Sequence, residues 1–109
     1  MYIENCVISL KKPLSPFGSN LSCVRHKNGT LTIAVHSRTI SLVEFGPKYS
    51  THSTVHFPII EDPHKDDTIL QAKVVNFHDI LLIVVLTFES VKVRDALMNM
   101  SLISLFHLV

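Results

Sequence analysis

Seven histidines, two cysteines and one acidic loop are the residues of this 109-residue chain whose types could do chemistry. His52 and His56 stand four apart, a spacing that on a helix would offer two imidazoles to one metal. The surrounding Thr51, Ser53, Thr54 and Val55 favour an extended strand instead. There the two side chains share a face but sit about 13 Å apart, at ~3.3 Å per residue. Cys23 and His26, three apart, point to opposite faces of a strand. Neither pair meets the geometry of a zinc site, and the histidines read as ordinary polar-face residues. Glu61, Asp62, Asp66 and Asp67 are calcium-type ligands. They lack the regular spacing and turn glycine of a calcium loop and read as a solvated connection. Gly18, Gly29 and Gly46 are the only glycines, with no Gly-rich phosphate loop and no Gly-x-Ser-x-Gly elbow. The expectation is a non-enzyme with no catalytic residue, no metal and no cofactor.

Ten basic and nine acidic residues leave a net charge of +1, which gives no electrostatic footprint for nucleic acid. No apolar run approaches the roughly 18 residues of a membrane span. The N-terminus lacks a basic start, and Lys11-Lys12-Pro13 ends its apolar stretch early, unlike a secretory signal. An intracellular protein, cytoplasmic or nuclear, with two reduced thiols at Cys6 and Cys23 is therefore expected. At 47% hydrophobic and 17% charged, so short a chain carries more apolar surface than one small domain can bury.

The elements that must position these residues are strands. The stretch from Asp79 to Asp95 opens with the apolar run Ile80 to Leu86, which reads as covered on both faces. After Thr87-Phe88-Glu89, Val91 and Val93 alternate with Lys92 and Arg94, predicting a covered valine face and a wet cationic one. Upstream, strands are expected at residues 2–10, 21–26, 30–35, 39–45, 50–60 and 69–77. The 39–45 strand should place Ile40 and Leu42 on one face and Ser41 and Val43 on the other. Asn28-Gly29 is the strongest turn signal, suited to the positive φ angles of a type I′ hairpin. Residues 96–109 change character: Ala96, Leu97, Met98 and Met100 favour a short C-terminal helix or an irregular apolar tail. The fold expected is an all-β antiparallel meander, with a strand and linker at 1–19, two similar units at 20–95 and the tail at 96–109.

The units are visible as a repeat. Leu31-Thr-Ile-Ala-Val-His-Ser37 stands over Leu81-Leu-Ile-Val-Val-Leu-Thr87, and Ile40-Ser-Leu-Val43 over Val91-Lys-Val-Arg94. The offset of about fifty residues is near the ~40–50 period of propeller blades. With Ile69 to Phe77 as a first strand, Ile80 to Thr87 as a second and Ser90 to Asp95 as a third, the chain resembles the WD-repeat type of β-propeller. Arg94 occupies the Trp position and Asp95 the Asp position of that family's closing pair. The chain has no Trp, and the Gly-His opening of many such repeats is missing.

The resemblance implies a partial propeller of about two blades, a truncated or alternatively terminated form of a longer one. Such a segment would be a non-enzymatic scaffold binding other proteins through exposed strand edges or blade faces, with self-association open to it. The structural positions it singles out are Asn28, Gly29, Val91, Val93, Arg94 and Asp95. The competing expectation is a self-contained small barrel or sandwich that binds peptide, lipid head group or RNA.

Overall fold

A computed structural model describes residues 13–18, 20–26, 29–46, 52–78 and 80–108. The strand expected at 2–10 and the turn residue Asn28 lie outside the described residues. Eight strands follow one another: β1 Leu21–His26, β2 Gly29–Val35, β3 Thr39–Phe45, β4 His52–Pro58, β5 Ile69–Phe77, β6 Ile80–Thr87, β7 Ser90–Asp95 and β8 Ser101–His107. They form two antiparallel four-stranded meanders, β1-β2-β3-β4 and β5-β6-β7-β8. Both sheets are open, so neither closes into a barrel.

The expected helical tail is a strand. Residues 96–100 make a turn that reverses the chain, and β8 then pairs along β7 from Ser90↔His107 to Asp95↔Ser101. Helix propensity in Ala96–Met100 amounts to tenths of a kcal/mol per residue. The unpaired edge of β7 offers a whole ladder of hydrogen bonds in exchange. A fourth strand therefore completes the second unit, where none was expected.

The hairpin register relates the two sheets residue by residue. Val24 pairs with Leu31 and Val75 with Leu82; Val35 pairs with Ile40 and Leu86 with Val91. One constant spacing thus carries Val24 to Val75, Leu31 to Leu82, Val35 to Leu86 and Ile40 to Val91. It corrects the alignment of Leu31 with Leu81, which is one residue out of step and would exchange the faces of β6.

By this register each sheet has two corresponding faces. The front carries Leu31, Ile33, Val35, Ile40 and Leu42 in the first sheet, and Leu82, Val84, Leu86, Val91 and Val93 in the second. The front of the first sheet packs on the back of the second, where Ala72, Val74, Leu81, Ile83 and Val85 complete one buried cluster. Across the interface β5 lies closest to β1 and β2. The second sheet is therefore shifted outward, and β8 overhangs the first.

The connection between the sheets holds this offset. Ile59 and Ile60 are buried, and both donate their N–H to the Arg38 carbonyl. The Arg38 guanidinium in turn donates to the carbonyls of Lys65, at 2.8 Å, of Asp67 and of Asp62. Asp67, expected in solvent, is buried, and its carboxylate accepts from the N–H groups of Thr68 and Phe88. The acidic loop is a clasp around the β2–β3 turn.

Candidate interaction surface

β6 shows how the second sheet presents a surface. Its odd residues Leu81, Ile83 and Val85 are buried against the first sheet, while Leu82, Val84 and Leu86 are only half-buried. The run that reads as covered on both faces is thus covered on one. Next to these on the open front lie Val91 and Val93 from β7, Val75 from β5 and Phe106 from β8. Phe106 is 58% exposed. Gln71 and Lys73 border a shallow depression floored by Val75, Val84 and Leu86.

The charged residues of β7 turn the opposite way from the expectation. Lys92 and Arg94 share the back face with Val85 and Ile83. The Lys92 ammonium donates to the Ile59 carbonyl at 3.1 Å, and Arg94 donates to the Met100 carbonyl at 2.9 Å. The Arg94 guanidinium also sits 5.1 Å from the centre of the Phe57 ring, a cation–π contact. Burial lowers the pKa of Lys92, with the like charge of Arg94 adding to it, and burial lowers that of Arg94. Long side chains can lay an apolar stem across the core and still reach polar atoms, so alternation of charge with valine fixes the period but not the face.

Asp95 stays at the surface end of β7, where its carboxylate accepts the Leu97 N–H at 3.0 Å and opens the turn into β8. Gly29 is not the second residue of a type I′ turn. It pairs with His26, which leaves residues 27–28 as the connection. Its φ of 139° and the Phe45 carbonyl lying where a Cβ would be are what require glycine there. The five of the singled-out positions that are described therefore do not gather into one site. Val91 and Val93 belong to the open front, Arg94 to the inter-sheet packing, Asp95 and Gly29 to the connections.

A second group is assembled on the back of the first sheet. His36 and Ser41 are buried, with Ser41 0% exposed. The His36 Nδ1 lies 2.8 Å from the Pro13 carbonyl oxygen, which can only accept, so in the neutral ring this nitrogen carries the proton. Nε2 then accepts from the Ser41 hydroxyl at 2.7 Å, and Ser41 Oγ accepts from His56 Nδ1 at 2.7 Å. A serine–histidine pair of this kind is the nucleophile arrangement of hydrolases. Here the hydroxyl is fully buried between the two imidazoles, and the three side chains form one hydrogen-bonded chain. Ser41 faces His56 in the β3–β4 register, a pairing that no spacing in the sequence displays.

Among the described residues no group of three or more His, Cys, Asp or Glu could hold a metal ion, and no helix is long and apolar enough to cross a membrane. No protein-family model, curated protein or solved structure matches the chain.

Proposed function

We propose that the chain is a non-enzymatic protein-binding scaffold, built as two propeller-like blades, whose open front docks a further β-sheet. The observation that carries this reading is the register. Leu82, Val84, Leu86, Val91 and Val93 are the counterparts of the first-sheet residues that the second sheet already covers. The same kind of surface is thus buried against a sheet in one unit and open in the other. Among the described residues the front is a wall of aliphatic side chains flanked by Phe106, with Lys73 and Asp95 at its margins. The partner that fits is a protein presenting the apolar back of a sheet, as the second sheet does to the first.

Sedimentation velocity and circular dichroism of the purified chain test the reading. Association that Val84→Glu and Val93→Glu together abolish, with the β-sheet spectrum retained, is the expected result. A cooperatively melting monomer, soluble at all concentrations and indifferent to both substitutions, would refute it.

A further inference from the structure

We infer that the space between the sheets at the β7–β8 turn binds a small organic cation, an ammonium group carried on an apolar body about the size of one aromatic ring. This goes beyond the scaffold reading and uses none of the open front. Lys92, Arg94 and Ala96 form one row on the face that β7 turns to the first sheet. Lys92 reaches the Ile59 carbonyl, and Arg94 covers the Phe57 ring. Ala96 carries only a methyl group, and a cavity of about 260 Å³ opens between it and Leu31, Leu42, Val55, Phe57 and Met100. An aliphatic cavity of ~150 Å³ stays dry and takes benzene, so this one has room for a ring with a short arm.

One wall is built at a cost to the backbone. Ser101 donates its N–H to the Met98 carbonyl at 3.1 Å, and Asn99 and Met100 between them have φ of 56° and 59°. Both central residues are left-handed, as in a type I′ turn, whose second position favours glycine. Methionine stands there instead, 4% exposed, its carbonyl held by Arg94 and its side chain against the cavity. Backbone strain of this kind persists only where the surroundings enforce it, and it clusters at ligand clamps.

The mouth selects the charge. Glu44 and Ser53, directly paired across β3 and β4, border the cavity with Asn99, and all three are exposed. Glu44 is the single charged residue of the lining among the described residues, and its carboxylate has no ion pair or hydrogen bond among them. The Arg94 guanidinium is committed to Met100 and Phe57 and does not line the space. An apolar body seated on Leu42 and Val55 therefore brings its polar end to a carboxylate, with a hydroxyl and an amide beside it. That setting suits an ammonium donor and repels an acid.

An NMR titration of the full chain tests this, following the methyl signals of Met100, Leu42 and Val55. The probes share one shape: phenethylammonium, 2-phenylethanol and phenylacetate. Phenethylammonium should shift these signals saturably and bind about two- to fivefold more tightly than 2-phenylethanol, as for an ion pair at the surface, with phenylacetate weakest. Glu44→Gln should bring the ammonium level with the alcohol and leave the alcohol unchanged. Ala96→Leu, which extends a side chain into the cavity, should weaken all three at least about tenfold. No saturable shift with phenethylammonium, no preference for it over the alcohol, or a preference that survives Glu44→Gln would overturn the site. Should Ala96→Leu fail to fold, Glu44→Gln at its exposed position decides alone.

Discussion

The two sheets have the same strand order and matching registers over their first three strands, yet only one of them is finished. The first has its front covered by the second sheet, and its back carries buried Ala34, Ser41 and Val43, with Ser15 and Pro13 bonded across one end. Among the described residues, the second is covered on its back alone. Topology therefore does not decide which surfaces are core; neighbours do. An aliphatic side chain at corresponding positions is buried in one unit and half-exposed in the other.

Substitution at corresponding positions should expose that difference. The largest contrast is expected between Ile33→Ala and Val84→Ala. Ile33 is fully buried, and its truncation should remove about 2–5 kcal/mol in urea denaturation. Val84, its counterpart on the open front, should lose under about 1 kcal/mol. Equal losses would mean that the front of the second sheet is core after all.

Next come Gly29 and its counterpart Ile80. Gly29→Ala meets the Phe45 carbonyl and a strained φ, and should lower stability by about 1–3 kcal/mol. Ile80→Ala, at an exposed site, should stay within about 0.5 kcal/mol. Thermal melts of the two variants side by side give the answer.

Ser41 and Lys92 are a third matched pair, both on the back of their sheets. Ser41→Ala strands a buried imidazole nitrogen and should destabilise by about 1–3 kcal/mol. Lys92→Met should have a smaller effect near neutrality, within about 1 kcal/mol, and a distinctive one in alkali. Because burial and Arg94 depress the Lys92 pKa, the folded chain releases this proton before the unfolded chain does. In the window just below the ordinary lysine value the unfolded state holds more protons, so Lys92 makes stability rise with pH. Lys65, held up by its hydrogen bond to Glu89, contributes the reverse above that value. Urea melts from about pH 8 to pH 10 should show an upward component in the parent that Lys92→Met lacks.

Much of the architecture was legible. Strands β2, β3, β5, β6 and β7 announce themselves through β-branched alternation broken by Ser37-Arg38, Gly46-Pro47 and Thr87-Phe88-Glu89. β8 was not, because its Leu- and Met-rich approach carries a weak local preference that pairing with β7 overrides. The direction of Lys92 and Arg94 was hidden for a different reason: a flexible cation is compatible with either face. The His36–Ser41–His56 chain and the Arg38 clasp were invisible because each depends on a register or a crossing loop. The open front could be anticipated only as surplus apolar residues; which five lie there is set by β6 and β7 pairing.

One consequence of the Arg38 clasp concerns where the sheets touch. It ties them together at the end of the strands where β2 turns into β3. Toward the opposite end the Asn76 side chain donates to the Arg25 carbonyl at 3.4 Å, a second tie placed on the β1–β5 side. On the other side of that end Leu42, Val55 and Met100 line a cavity of about 260 Å³ between the sheets. The joint is thus stitched along one diagonal and left with slack at one corner, where a larger side chain could be seated without moving either ladder.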